Sequence, residues 1–442
     1  MATHPTVADG DSFRTFWLRV REFAVPPTMI ETAAARRAVG DWGGACAAAG
    51  LDVDFRLSDL SRSHGCELAA RVRDDLRHLA PDLLRWHLPR IAPDGLLRPG
   101  LSSSLARYDG AARDGTGAVH LVVRTPPGWA QAGQRISLGL WGAAAGAGRH
   151  PQQRYRLDLH RHLWDVRRSG ELLYRADAPS VELSNLPFGA AERCAVGRWA
   201  AEAELLLGDE GRGGRAVAVR LGSRRWLELQ LTGSEMSVAV RPERGAGLPV
   251  LPDAATWVQP DLALLRAGAI RPDQLHPLVA AALAPGGESA RPSAPTGSQL
   301  VDCQGERHRL GLVDGVLVPL DHGAAELRRE QLLAALGGPP VPCLQAIERA
   351  HRQPGCLSEV RGRLDHGDYT GALAVVEELL GANAVLRDGE LRDELDDAVA
   401  RRIDHGLFRA GLADPLAGRG RPDRRRVRGG QSAHAVRKLL SR

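Results

Sequence analysis

Residues Ala216–Pro242 read AVAVRLGSRRWLELQLTGSEMSVAVRP. Three runs, AVAVRLG (Ala216–Gly222), RWLELQL (Arg225–Leu231) and MSVAVRP (Met236–Pro242), are rich in valine and leucine and are separated by Gly/Ser turns. That pattern predicts a meander of antiparallel strands. Upstream, AVHLVVRTP (Ala118–Pro126) and RISLGLWG (Arg135–Gly142) predict further strands. RYRLDLHRHLWD (Arg154–Asp165) alternates, with Tyr155, Leu157, Leu159 and Arg161 on one side and Arg156, Asp158, His160 and His162 on the other. Period two predicts a half-solvated strand there, with GELLYR (Gly170–Arg175) as the next. GRWAAEAELLLG (Gly197–Gly208) predicts a helix, and helix returns over Trp257–Leu283, broken at Pro272 and Pro277. Residues 100–283 thus read as an α+β domain around an antiparallel sheet.

The flanks differ. Residues 1–99 read as mainly helical. In CELAARVRDDLRHL (Cys66–Leu79), Leu68, Val72, Leu76 and Leu79 share one helical face. FAVPP (Phe23–Pro27) is a short strand-like run. APGGESARPSAPTGS (Ala284–Ser298) has no hydrophobic period and reads as a linker, hence the main domain boundary. Beyond it, HRLGLVDGVLVPL (His308–Leu320) predicts a hairpin turning at Asp314-Gly315. Helices are expected over Ala324–Gly338, Cys343–His351, Cys356–Gly367, Tyr369–Gly381 and from Glu390 to about Ala410. The expected class is therefore α+β: a helical N-terminal part, an antiparallel-sheet middle domain, and a C-terminal β-hairpin plus helical module over residues 299–412. Residues 413–442 read as a disordered basic tail.

GDWGGACAAAG (from Gly40) and GDYTGALAVVEELLG (from Gly367) share Gly-Asp-aromatic followed by small residues and an apolar helix. Glycine ends one helix, aspartate caps the next, and the aromatic packs in the crook. Each is a helical hairpin; no 34-residue period extends it into a solenoid.

The chain has 442 residues, 43% of them hydrophobic and 25% charged, as in soluble multidomain proteins and unlike disordered ones. Its one lysine, Lys438, lies close to the C-terminus. P-loop nucleotide hydrolysis, protein-kinase chemistry and pyridoxal-phosphate catalysis each need a lysine inside a folded site, so these classes are excluded. The net charge is +5, and nine basic residues against Asp414 and Asp423 put +7 of it in the tail, leaving the body at −2. Basic surface is thus expected at the tail, not on a folded nucleic-acid-binding face.

MATHPTVADGDSF has no apolar signal-peptide core, and no run approaches the length of a membrane span. A cytoplasmic protein is expected. The six cysteines form no CxxC pair and read as buried free thiols; zinc would ask for ligand spacing that is missing. No cofactor is expected. The best metal candidate is Asp158, His160 and His162, which a strand would place on one face. Arg424, Arg425, Arg426 and Arg428 are the candidate contacts to nucleic acid or an anionic surface. Ser102-Ser103-Ser104 lacks a nucleophile elbow, and no GxGxxG follows a strand. Asp-His recurs at Asp321-His322, Asp365-His366 and Asp404-His405, each at an expected helix boundary, which reads as capping.

Four stretches carry a resemblance: VREFAVPPTMIETAAARRAVGDWGGACAAAGLDVDF (from Val20), DDLRHLAPDLLRWHLPRIAPDGLLRPG (from Asp74), LGLVDGVLVPLDH (from Leu310) and LLAALGGPPVPCLQAIERAH (from Leu332). They resemble a family of high-GC actinobacterial proteins without an assigned activity, so no functional residue carries over. The resemblance implies an accessory partner of a MoxR-type AAA ATPase or von Willebrand factor A system. The expectation is a non-enzymatic interaction protein. The alternatives are a metal-dependent hydrolase at Asp158, His160 and His162, or a nucleic-acid or anionic-surface binder acting through the tail.

Overall fold

The computed structural model describes residues 10–412 apart from 111–116, 131–133, 143–149, 177–192, 212, 223–224, 233–234, 246, 284–298 and 304. The expected linker, residues 284–298, and the tail arginines Arg424, Arg425, Arg426 and Arg428 lie outside the described residues. The expected α+β class holds: helices first, antiparallel sheets in the middle, helices last.

The N-terminal part runs through α1 (Gly10–Arg19), α2 (Pro27–Ala38), α3 (Trp42–Ala48), β1 (Leu51–Val53), α4 (Leu57–His64), α5 (Cys66–His78) and α6 (Pro81–His87). The expected face of α5 is buried at Leu68, Val72 and Leu76, with Leu79 just past its end. The strand-like reading of Phe23–Pro27 is corrected: Val20–Ala24 continues α1 as a π-helical turn and Pro27 opens α2. Val20, Phe23 and Ala24 are all buried, at helical and not strand spacing.

Next come β2 (Arg90–Ile91), β3 (Leu96–Leu97), β4 (Ser102–Tyr108), β5 (Val119–Arg124) and β6 (Ile136–Trp141). The main sheet has the order β1-β6-β5-β4, antiparallel except where β1 joins β6 in parallel, Leu51 facing Ile136. The N-terminal part therefore shares a sheet and a core with the strands β4 to β6, and packing crosses position 99 freely. The expected strands over Arg154–Asp165 and Gly170–Arg175 do not form. The first is a series of turns with 3-10 segments at Gln153–Tyr155 and Arg161–Leu163; the second is α7 (Glu171–Ala176). The alternating charges of Arg154–Asp165 close local turns instead of lining a sheet: Arg156 holds Asp158, Arg161 holds Asp165, and Trp164 Nε1 donates to Leu157 O at 3.0 Å.

After α8 (Trp199–Asp209), the meander appears where its three runs place it: β7 (Ala216–Arg220), β8 (Trp226–Thr232) and β9 (Glu235–Arg241), antiparallel in sequence order. α9 (Asp253–Thr256), α10 (Pro260–Arg266) and α11 (Pro277–Leu283) come next. Leu264 of α10 and Val279 of α11 pack back against Phe16, Trp17, Leu83 and Trp86 of the N-terminal helices.

The C-terminal module is a three-stranded meander, β10 (Gln299–Cys303), β11 (Glu306–Val313) and β12 (Val316–Pro319), then α12 (Ala324–Ala335), α13 (Pro342–Arg352), α14 (Leu357–His366), α15 (Tyr369–Leu380) and α16 (Glu390–Arg409). The expected turn at Asp314-Gly315 is present, both residues at positive φ (53° and 71°) with Val313 facing Val316. Gly381 ends α15 at φ 91°, where a Cβ would stand 2.1 Å from Gly315 O, so the hairpin turn docks directly on the helix end. Both Gly-Asp-aromatic hairpins cap as expected: Gly44 N donates to Asp41 Oδ1 at 2.8 Å and Gly371 N to Asp368 Oδ1 at 2.9 Å.

The module lies on the N-terminal part. Gly362 of α14 faces the Phe23 ring, Phe408 of α16 meets Trp129 edge-on at 5.4 Å, and Arg409 pairs with Asp54 at 2.5 Å. At the centre, buried Arg85 donates through Nε to Ala24 O (3.0 Å), through Nη1 to Gln134 O (2.6 Å) and through Nη2 to His366 O (2.8 Å). Arg85→Met keeps the bulk but strands these carbonyls. It is expected to cost about 3 kcal/mol or more, read as a lower urea midpoint of the full chain.

Candidate functional site

Among the described residues, one group of three or more potential metal ligands converges: Cys303, His308, His322 and Cys343. Strand register explains the first pair. Val301 faces His308 and Cys303 faces Glu306, so pleating puts Cys303 and His308 on the same face, toward α13. Asp321 then anchors the exit from β12, accepting from Arg309 N at 2.6 Å and from Arg309 Nη2 at 2.8 Å. The next side chain, His322, is 3% exposed. Pro342 opens α13 and sets buried Cys343 in its first turn.

The four ligand atoms all lie within 4.8 Å of one another. His308 Nδ1 and His322 Nε2 are 2.9 Å apart; Cys303 Sγ is 3.7 Å from His322 Nε2, and Cys343 Sγ is 3.7 Å from His308 Nδ1. The two rings are nearly perpendicular, at 84°. The outward ring nitrogens face carboxylates: His322 Nδ1 is 3.5 Å from Glu326 Oε2, and His308 Nε2 is 3.9 Å from Glu306 Oε2. Burial, reinforced by the adjoining Cys303 thiol, pushes the Cys343 thiol up to about 12.

The set singled out in the sequence, Asp158, His160 and His162, is not brought together. With no strand there, the shared face is gone. The Asp158 carboxylate is held by Arg156, at 2.6 Å from Nη2. His160 Nδ1 lies 3.1 Å from Arg175 Nη1, and Glu202 in the same buried knot accepts from Arg198 at 2.8 Å. The His160 and His162 rings are 5.8 Å apart, both buried. Burial and then the neighbouring Arg175 and Arg198 depress His160 to about 3. Two guanidinium groups beside these rings oppose a second cation.

Ser102, Ser103 and Ser104 are buried on β4, and Ser104 Oγ lies 2.9 Å from His120 Nδ1 beside a cleft lined by Arg107, Arg156, His150 and Glu210. Both arginines there are already paired, Arg107 with Asp109 and Arg156 with Asp158 and Asp209. Of the three Asp-His pairs, His322 joins the cysteine cluster. His366 lies 3.0 Å from Asp94 O through Nε2, and His405 lies 3.0 Å from Ala130 O through Nδ1. All three rings are turned inward; two of the pairs do border helices, Gly323 preceding α12 and Gly367 closing α14 at φ 88°, whereas Asp404-His405 lies inside α16.

The outer face of the C-terminal sheet carries exposed apolar side chains beside Asp302, Arg307 and Arg309, which the register puts on the same face. Leu300, Val313, Val316 and Leu320 are all exposed there, and Gly311 leaves room for Leu320 to lie across the sheet. In α12 no described side chain is buried, and Leu332, Leu333 and Leu336 at its end are exposed.

Burial depresses His87, His160 and His366 to about 3 each. A histidine lowered by folding adds stability that is full above its unfolded value near 6.5 and lost as pH falls toward the folded value. Each is expected to contribute a slope of about 1.4 kcal/mol per pH unit below roughly pH 6, so urea midpoints should fall steeply from pH 6 to pH 4. A flat profile would contradict the neutral, buried assignment. No helix among the described residues is long and apolar enough to cross a membrane. Comparison with protein-family models, with curated proteins and with solved structures finds no match for the chain.

Proposed function

We propose that the chain is a non-enzymatic interaction protein that docks a partner protein through the outer face of its C-terminal module. One observation carries this reading: exposed aliphatic side chains on the outer sheet face followed by a helix, α12, with no buried described side chain. A twelve-residue helix gains little from its own hydrogen bonds and is normally held by burying one face. Exposed leucines on such a helix mark a surface completed by another molecule. The sequence resemblance supplies the partner class, a MoxR-type AAA ATPase or a von Willebrand factor A protein.

The test is capture from native extract with the full chain beside the Leu332→Glu/Leu336→Glu variant, identifying retained proteins by mass spectrometry. Both positions are exposed, so the variant is expected to keep its stability within about 0.5 kcal/mol while losing an ATPase or von Willebrand factor A partner. Equal retention of that partner by both chains would reject the docking face.

A second reading rests on the separation of charge, +7 in the tail against −2 in the body. It is binding of nucleic acid or an anionic surface through Arg424, Arg425, Arg426 and Arg428. Affinity for duplex DNA is then expected to fall steeply with salt and to vanish in a 1–413 truncation. Binding that survives truncation would refute it.

A further inference from the structure

We propose that Cys303, His308, His322 and Cys343 bind one Zn2+, through Cys303 Sγ, His308 Nδ1, His322 Nε2 and Cys343 Sγ, and that this ion ties the C-terminal sheet to α13.

The first argument is geometric. Ligand atoms on a tetrahedron around zinc, with bonds of about 2.0–2.3 Å, stand roughly 3.3–3.8 Å from one another. The measured separations are 2.9 Å for the nitrogen pair and 3.7 Å for two sulfur–nitrogen pairs, with every pair within 4.8 Å. For these three pairs, adjustments of a few tenths of an ångström reach tetrahedral spacing. A single hydrogen bond would account for one of these approaches. It does not account for four ligand atoms meeting from a strand end, a strand centre, a strand exit and a helix start.

The second argument is chemical. Two thiolates and two imidazoles form a soft, oxygen-free donor set that disfavours Mg2+ and Ca2+ and suits tetrahedral Zn2+. All four positions are filled by protein, so the site is closed and structural; a catalytic zinc keeps a position for water. Both cysteines are fully buried. The two non-ligating nitrogens face Glu326 and Glu306, which is how carboxylates orient metal-bound histidines.

The third argument is topological. His322 and Cys343 bracket the excursion that carries α12, from Gly323 to Pro342. The ion would close that excursion at its base and hold α12 where its leucines face outward. To this extent the inference deepens the docking reading, but the metal is measured without any partner.

The full chain, purified under reducing conditions, exposed to Zn2+ and freed of loose metal, is expected to retain one zinc per chain by elemental analysis. Replacing Zn2+ by Co2+ is expected to give the strong visible bands of a tetrahedral ion and thiolate-to-metal charge transfer in the near ultraviolet. Cys303→Ser/Cys343→Ser is expected to lose at least about tenfold in metal content, whereas Cys66→Ser, which removes an exposed thiol on α5, keeps it. Glu326→Gln is expected to weaken binding about tenfold. No stoichiometric metal in the wild-type chain, an octahedral Co2+ spectrum, or equal metal in the double variant would overturn the site. The cobalt spectrum is read on the unaltered chain, so it decides even where the double variant does not fold. Stoichiometric zinc without partner capture would uphold the metal site and reject the docking face alone.

Discussion

The chain is organised around a buried positive charge. Arg85, on α6, is 2% exposed, and among the described residues no carboxylate pairs with it. A bare guanidinium there would be prohibitively costly. Its compensation comes from backbone carbonyls, Gln134 O before β6 and three at helix ends, Ala24 O, His366 O and, at 3.5 Å, Ala49 O. Ala24 closes the π-helical turn after α1, Ala49 is the C-terminal cap of α3, and His366 is the last residue of α14. Helix C-termini carry partial negative charge and unpaired carbonyls, so one cation satisfies several at once. Burial and the charge of Arg135 lower Arg85 only to about 10, and it stays protonated at neutral pH. Arg90 repeats the device nearby, donating to Arg85 O at 2.7 Å and Gly95 O at 2.9 Å. Because His366 is 281 positions from Arg85, this one side chain makes the C-terminal module part of the N-terminal core.

That constraint settles which face of the module is available. α14 and α16 are turned inward, against Phe23 and Trp129. The sheet and α12 are left on the far side, with the cysteine–histidine cluster between the sheet and α13. A small sheet with one uncovered face is weakly held by burial alone, because half of its pleat contributes nothing to a core. The cluster sits where a cross-link would compensate, at the joint between strand ends and helix start.

Legibility in the sequence tracks the range of the interaction. The Asp314-Gly315 turn, the buried stripe of α5, the three-run meander and the aspartate caps at Asp41 and Asp368 are local: the residues that cause them lie within about one helical turn or one strand pair. The failures have a different cause. Arg154–Asp165 alternates like a strand, yet its charges find partners two and four residues away and fold it into turns. Phe23–Pro27 reads as extended because of its prolines; the buried face of Val20, Phe23 and Ala24 is helical and needs α6 and α14 to cover it. Of the histidines of the three Asp-His pairs, His366 ends α14 and His322 follows a strand exit, as caps would, while His405 lies inside α16; the partners of all three are distant.

By itself, the sequence determined the α+β class and the coarse order of helices, antiparallel sheets and helices. It also placed the excess charge in the tail, because composition, period and turn residues act at short range. Only the tertiary structure decided which polar residues meet. Cys303, His308, His322 and Cys343 are separated by 4, 13 and 20 residues, a spacing with no motif, and antiparallel register together with the return of α13 brings their ligand atoms into one cage. Asp158, His160 and His162 stand two residues apart and do not converge, since arginines outside the run hold His160 and Asp158 is tied to Arg156. Proximity along a chain specifies shared faces only if the expected element forms, and that depends on partners supplied by the rest of the fold.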